Sequence, residues 1–532
     1  MTKRSLLLVA FLLNALFLFA SENKTKLVVG ITLNQFYPEW FTIYANELGE
    51  GGLKRILHQG KMTLADYEYA YSQSGTDQAT LYSGLLPSEH GIVAHDWYNR
   101  LRKVRENSVR SGSYAEIGEG GRETGASPEQ LQTLTAGCVL KMNNVFSRVY
   151  SIGLNAEEAV LSGGSCADMA FWLSEKSGKW VSSAYYADTL PRWMHSYNRL
   201  LESDFMIRKG WMSLEDEMGG SAATRLRNKI GLGSGFFYDL SQARKQFNTY
   251  RVLKGAPYGN TLVADLAGKV VDEAKLGKDN DVDLLALNFS ALDYMNRDFG
   301  VYAPEFRDLV LRLDRDVKKL LELLDQKVGR GNYTVFMTFS EARELLPEEL
   351  EKLKVHGDYF RIFKSVSLLK SYLNLVYGAG EWIADYDAGQ IYLNRELIEA
   401  KKLSLQEVQD LVAGFLIEFE GVSKVLTAYS LTHNAFAYGQ EWRMQNAFSQ
   451  KRSGDVLFCL QPAWIPALQD KEDFYFRYSK RTKVPLYFYG AGAGTDANAM
   501  FRNECRMTDV LPTLCRLAGI PAPYTAQGEF IF

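Results

Sequence analysis

Four short apolar runs, Lys26 to Leu33, Asp283 to Phe289, Tyr333 to Thr338 and Val484 to Tyr489, set the frame for this chain. Each is too short for a buried helix and is bounded by polar residues or Gly, as strands buried on both faces of a parallel sheet should be. Between them lie stretches of helical periodicity. The longest runs from Pro304 to Val328, where Phe306, Leu309, Val310, Leu313, Val317, Leu320, Leu321 and Leu324 recur on one face and Gly329 and Gly331 close it. Strand and helix alternate, so the expected fold is α/β, with a central, mostly parallel sheet flanked by helices.

Two regions interrupt the alternation. Residues at about 195–256 are rich in charge and Gly and read as an insertion. Residues at about 356–450 combine a strand at Gln390 to Leu393, an amphipathic helix at Leu405 to Phe419 and a strand at Val422 to Thr427, which together suggest an α+β cap. With 532 residues, 46% of them hydrophobic, the chain can bury a large core. A net charge of −3 with both signs interspersed gives no reason to expect a nucleic-acid partner.

The N-terminus reads as a secretory signal over residues 1–21, with Lys3 and Arg4 before an apolar stretch from Ser5 to Phe19, leaving a mature chain of 22–532. No later apolar run reaches the roughly 18 residues of a membrane span. Export to the bacterial periplasm or cell envelope, with no stable span after cleavage, is the expectation. Of five cysteines, Cys505 and Cys515 are close enough in sequence to bridge, as are Cys138 and Cys166, and spacing does not choose between them. The six histidines show no metal-binding spacing, and each reads as a turn or surface residue.

Further segments carry a family signal. Gly49-Glu-Gly-Gly-Leu-Lys-Arg-Ile56, Ala79-Thr-Leu-Tyr-Ser-Gly84, Pro87-Ser-Glu-His-Gly-Ile-Val93, Asp96-Trp-Tyr98, Leu311-Arg-Leu-Asp314, Arg452-Ser-Gly-Asp455 and Thr508-Asp-Val-Leu-Pro-Thr513 follow one another along nearly the whole mature chain. In that order they resemble the alkaline phosphatase superfamily, in particular its bacterial periplasmic, phosphate-irrepressible branch with a threonine nucleophile. The resemblance implies an alkaline-phosphatase-like sheet with a cap, and a site using two Zn²⁺ ions.

Position by position, the implied chemistry is altered. Ser74 stands at the nucleophile. His95 stands where the family has an Asn that touches phosphate, and Asn155 and Glu157 replace the Lys and Arg that clamp phosphoryl oxygens. At the implied metal positions lie Asn34, Asp293, Arg297, Ser340, Glu341 and Phe474, of which only Asp293 matches the family's ligand. Zinc is held by imidazole, thiolate and carboxylate, so no cofactor is expected. Arg297 is expected to pair with Asp293 or Glu341 through its guanidinium fork. The resulting expectation is a catalytically inactive, phosphatase-like envelope protein that acts by binding a protein partner or ligand. Two alternatives stay open. One is an active phosphatase or phosphodiesterase rebuilt on Ser74, with His95 as base and Glu341 or Asp293 orienting its ring. The other is a glycan-binding module in which the aromatics of the cap form a platform.

Overall fold

The computed structural model describes residues 25–119, 124–217, 235–295, 299–387, 389–467, 479–493 and 501–532. The signal segment, Arg297 and Phe474 lie outside them.

An eleven-stranded sheet forms the centre. In spatial order its strands are Glu504–Arg506, Lys61–Asp66, Lys483–Gly490, Tyr333–Ser340, Leu27–Asn34, Asp283–Phe289, Val149–Gly153, Met169–Leu173, Trp180–Ser183, Arg110–Ile117 and Thr124–Ala126. The five from Tyr333–Ser340 to Met169–Leu173 are mutually parallel. Their near-continuous apolar sequences follow from having both faces covered. Lys483–Gly490 departs from the expectation, because it pairs antiparallel with Tyr333–Ser340. Its burial alternates in part, and an apolar run alone cannot tell strand direction, which is set by how the chain returns to the sheet.

Helices pack on the sheet in two groups. Leu53–Gln59 and Tyr258–Glu273 each contact Pro304–Leu324 in the first, and Ser74–Ser83 contacts Ala136–Asn143, Ala156–Gly163 and Val510–Ala518 in the second. The Pro304 helix ends at Leu324 and passes into a π turn over Asp325–Gly329, slightly before the expected Val328. The glycine-rich segment at 49–52 also finds its reason here. Asp314 accepts hydrogen bonds from the Gly49 and Leu53 amides at 2.8 and 2.7 Å, while a Cβ on Gly52 would lie 2.2 Å from the Asp314 carbonyl oxygen. Only glycine allows that approach.

A smaller four-stranded sheet, in order Ile383–Asp387, Gln390–Leu393, Val456–Leu460 and Val422–Thr427, packs with helices Ile362–Tyr377 and Leu405–Leu416 around a second apolar core. Cys138 and Cys166 form the disulfide. Cys459, Cys505 and Cys515 are buried free thiols, so the Cys505–Cys515 alternative is not realised. No helix of the described residues is long and apolar enough to cross a membrane.

Candidate active site

The parallel strands deliver their carboxyl ends to one edge of the sheet, where the crevice of an α/β fold forms. Asn34 and Ser340 end two adjacent strands in register. The next residues, Gln35 and Glu341, both adopt left-handed backbone, with φ of 55° and 46°. Such backbone in non-glycine residues is uncommon and persists where the surroundings enforce it. Here the two side chains meet, with Gln35 Nε2 donating to Glu341 Oε2 at 2.8 Å.

Ser74 opens the helix Ser74–Ser83 directly after the extended Gln73. Its amide donates to Glu341 Oε1 at 2.6 Å, and its hydroxyl accepts from Asn34 Nδ2 at 2.7 Å. The same Nδ2 donates to Glu158 Oε1 at 2.9 Å, while Asn34 Oδ1 is buried without a hydrogen-bond partner. One turn into the helix, Asp77 fastens it to the neighbouring strand end. It accepts from Tyr69 Oη at 2.6 Å, Ser340 Oγ at 2.7 Å, the Glu341 amide at 3.2 Å and Ser72 Oγ. Ser340 thus serves Asp77.

A second helix, Ala156–Gly163, supplies the opposite wall. Asn155 caps it, its Oδ1 accepting from the Glu158 amide at 2.9 Å. This is the ordinary N-cap role of Asn. Glu157 accepts from His95 Nδ1 at 2.7 Å and from Ser108 Oγ at 2.6 Å, and His95 Nε2 lies 3.2 Å from Asn107 Nδ2. Glu157 also stands hard against the residue after Ser74, because a Cβ on Gly75 would lie 2.3 Å from Glu157 Oε1. Asp293 sits on the turn Ala291–Tyr294 beyond the Asp283–Phe289 strand and lines the cleft with Ser74, His95, Asn155, Glu157 and Glu341. The cleft encloses about 640 Å³.

Burial dominates the electrostatics. It pushes Glu158 up to about 7 and Asp77 up to about 6, against the pull of their hydroxyl and amide donors, and raises Glu341 well above the usual carboxylate range with help from nearby Asp293. Lys254 is buried beside this group and is lowered by desolvation, which Glu175 and Glu158 partly offset. Its Nζ lies 3.2 Å from Glu175 Oε1.

The sequence-derived positions Ser74, His95, Asn155, Glu157, Asp293 and Glu341 therefore share one cleft. The Ser74–His95 relay is not formed among the described residues: the hydroxyl is bound to Asn34, and the carboxylate that orients His95 is Glu157, not Glu341 or Asp293. Nor is every histidine a turn or surface residue. His90 is fully buried, with Nε2 3.0 Å from Thr80 Oγ1 and Nδ1 accepting from the Ile92 amide at 3.1 Å. Sequence reasoning missed Gln35, Asp77, Asn107, Glu158 and Lys254 as parts of the site. Only Glu158, next to Glu157 at a helix start, carried a usable signal.

Comparison with known proteins places this geometry. A family model described as Type I phosphodiesterase / nucleotide pyrophosphatase matches residues 28–486. A protein named calcium-transporting ATPase from Myroides odoratus is 29% identical over 520 residues, covering 95% of this chain and 94% of its own. Alkaline phosphatase PafA of Elizabethkingia meningoseptica is 27% identical over 515 residues, covering 95% and 94%. The crystal structure of wild-type PafA superposes with a TM-score of 0.84 at 26% identity, covering 96% of this chain and 98% of that one. Murine ectonucleotide pyrophosphatase / phosphodiesterase 5, at 12% identity and a TM-score of 0.50, shares the fold alone.

These matches overturn the expectation that no cofactor is used, because the alkaline phosphatases of this family are zinc-dependent and membership favours a metal. The described residues at the strand ends nevertheless fit zinc poorly. Asn34, Asp293, Ser340 and Glu341 offer an amide, a hydroxyl and two carboxylates but no imidazole, and no three His, Cys, Asp or Glu among the described residues are grouped to hold an ion.

Proposed function

The chain belongs to the Type I phosphodiesterase / nucleotide pyrophosphatase family, within the alkaline phosphatase superfamily, and we propose that this member binds a ligand in its cleft without hydrolysing phosphate esters. The observation that carries the reading is the Glu157 carboxylate packed against Gly75, next to the nucleophile position. A phosphoryl dianion seated on Ser74 would meet the Glu157 carboxylate at the Gly75 side. Like charges at such range, partly out of water, repel by several kcal/mol on the order of Coulomb's law at intermediate dielectric. Among the described residues, Ser74 Oγ has the Asn34 amide as donor and no base bonded to it to take its proton. Export to the envelope belongs to the same proposal, supported by Lys3, Arg4 and the apolar stretch that follows.

A second reading, a rebuilt hydrolase, is favoured by the 2.7 Å contact of His95 with Glu157, the arrangement of a base held by its orienting carboxylate. Turnover of an aryl phosphate and of a bis-aryl phosphodiester, with and without added zinc, separates the two. The expected result is equal, background rates for the wild type and Ser74→Ala. Turnover lost in Ser74→Ala would defeat the binding reading, and turnover lost in His95→Ala as well would establish the second.

A further inference from the structure

The sheet edge opposite the cleft carries an apolar loop. Leu27–Asn34, Asp283–Phe289 and Val149–Gly153 are neighbouring parallel strands, so all three begin at that edge. The loop leading into Val149 presents Met142, Val145 and Phe146, which are 73, 75 and 72% exposed. Three large apolar side chains within five positions, each mostly in water, form a patch and not the single scattered residues of an ordinary surface. The loop is held firmly. The Asn144 amide donates to the Leu140 carbonyl at 2.8 Å, its Oδ1 accepts from the Phe146 amide at 3.0 Å, and its Nδ2 donates to Asp281. Arg148 pairs with Asp279 at 2.9 Å, and the Cys138–Cys166 disulfide staples the helix behind. Val145 and Phe146 therefore project from a fixed turn, with little order left to lose on binding. Tyr185 and Tyr186 reach the same edge, because Trp180–Ser183 runs back antiparallel to Met169–Leu173, and with Lys141 and Met142 they line an open recess of about 410 Å³.

The position of the N-terminus says what covers this patch. Leu27 starts two strands from Val149, about 10 Å away at ordinary strand spacing. The apolar stretch Ser5 to Phe19 ends six positions before Thr25. A stretch of that kind engages the bilayer during export, and six residues span at most about 20 Å. While attached, it brings the Phe146 edge to the membrane surface. We propose that this edge docks on a lipid bilayer, with Met142, Val145 and Phe146 entering the headgroup boundary and the cleft facing away. Tyrosine and lysine beside the apolar side chains suit such a boundary, where one end of a side chain is dry and the other wet. The carboxylates that touch the loop and its helix, Asp168, Asp279 and Asp281, are already met by Lys141, Arg148 and Asn144. Contact through so few side chains is reversible, and apolar burial makes it insensitive to salt.

Flotation of the mature chain, residues 22–532, with vesicles of phosphatidylethanolamine and phosphatidylglycerol tests this. The expected result is binding that survives raised salt and falls about tenfold or more in the double variant Val145→Ser, Phe146→Ser. Both side chains are exposed, so the variant keeps its fold. A polarity-sensitive dye on Phe146→Cys reads the orientation, since the free thiols Cys459, Cys505 and Cys515 are buried and leave the new one to react. The dye should brighten with vesicles. The same dye on Leu101→Cys, at a site 95% exposed in the turn between Asp96–Asn99 and Val104–Asn107, should not, because Arg100 and Lys103 hold that turn against the smaller sheet's side of the molecule. No flotation, flotation unchanged in the double variant, or equal brightening at both sites would overturn the inference. A dimer abolished by the double variant, with no vesicle binding, would assign the patch to a second copy of the chain instead.

Discussion

Asp455, at the seam between the smaller sheet and the main body, and Glu341, at the cleft floor, are both buried carboxylates, and their surroundings are opposite. Asp455 faces two guanidiniums, with Arg395 at 2.7 Å and Arg100 at 3.2 Å, besides Gln409 Nε2 and the Leu393 amide. Among the described residues Glu341 receives only an amide and a carboxamide, and its neighbours Glu158 and Asp77 receive hydroxyls, amides and a phenol. Neutral donors direct a carboxylate without cancelling its charge. Burial then favours the protonated form at the floor, whereas two guanidiniums face the carboxylate at the seam. The seam is tied by facing cations, and the floor by neutral donors alone among the described residues.

Breaking the seam should have the largest effect. Asp455→Ala strands two guanidiniums and should cost about 3 kcal/mol, read as a lower urea midpoint with an unchanged slope. A loss no greater than that of an ordinary surface change would remove the contrast.

The floor should respond to pH through its raised carboxyls. Glu158 is raised from its ordinary 4.5 to about 7, so the native state holds a proton that the unfolded state has released between those values. Its contribution is therefore present at low pH and lost as pH rises through about 7. Glu158→Gln should flatten that fall by roughly 1–3 kcal/mol between pH 5 and 8, and should leave the variant more stable than the wild type at pH 8. Urea midpoints measured across that range decide it, and parallel curves for the two proteins would contradict the assignment.

The smallest effect sharpens the role of the neutral donors. Ser340→Ala removes one hydroxyl from Asp77 and should cost about 1 kcal/mol. It should also move Asp77 further above 6, since the lost bond favoured its ionised form. Carboxyl NMR titration would show the shift, and a downward shift would be the wrong sign.

Much of the scaffold was legible in the chain because its signals are local or periodic. The apolar run Leu27–Asn34, the stripe along Pro304–Leu324 and the strand Gln390–Leu393 lie where their sequences place them. The glycines at 49–52 mark a segment whose purpose, receiving Asp314 from a helix far along the chain, needed the folded molecule. The site was legible as a set of positions and illegible as a set of bonds. Asn155 looked like a lost phosphoryl clamp and is a helix cap. His95 looked like a base for Ser74 and is bound to Glu157.

By itself the sequence determined the α/β alternation and the family resemblance, because residue identity and spacing are carried along the chain. Tertiary structure alone decided that Lys483–Gly490 runs antiparallel, that Cys138 pairs with Cys166, and that Asn34, Glu158 and Ser290 converge on one buried group. Those contacts join residues more than a hundred positions apart or choose among equivalent partners, and no local pattern encodes which distant strand end will supply a given donor.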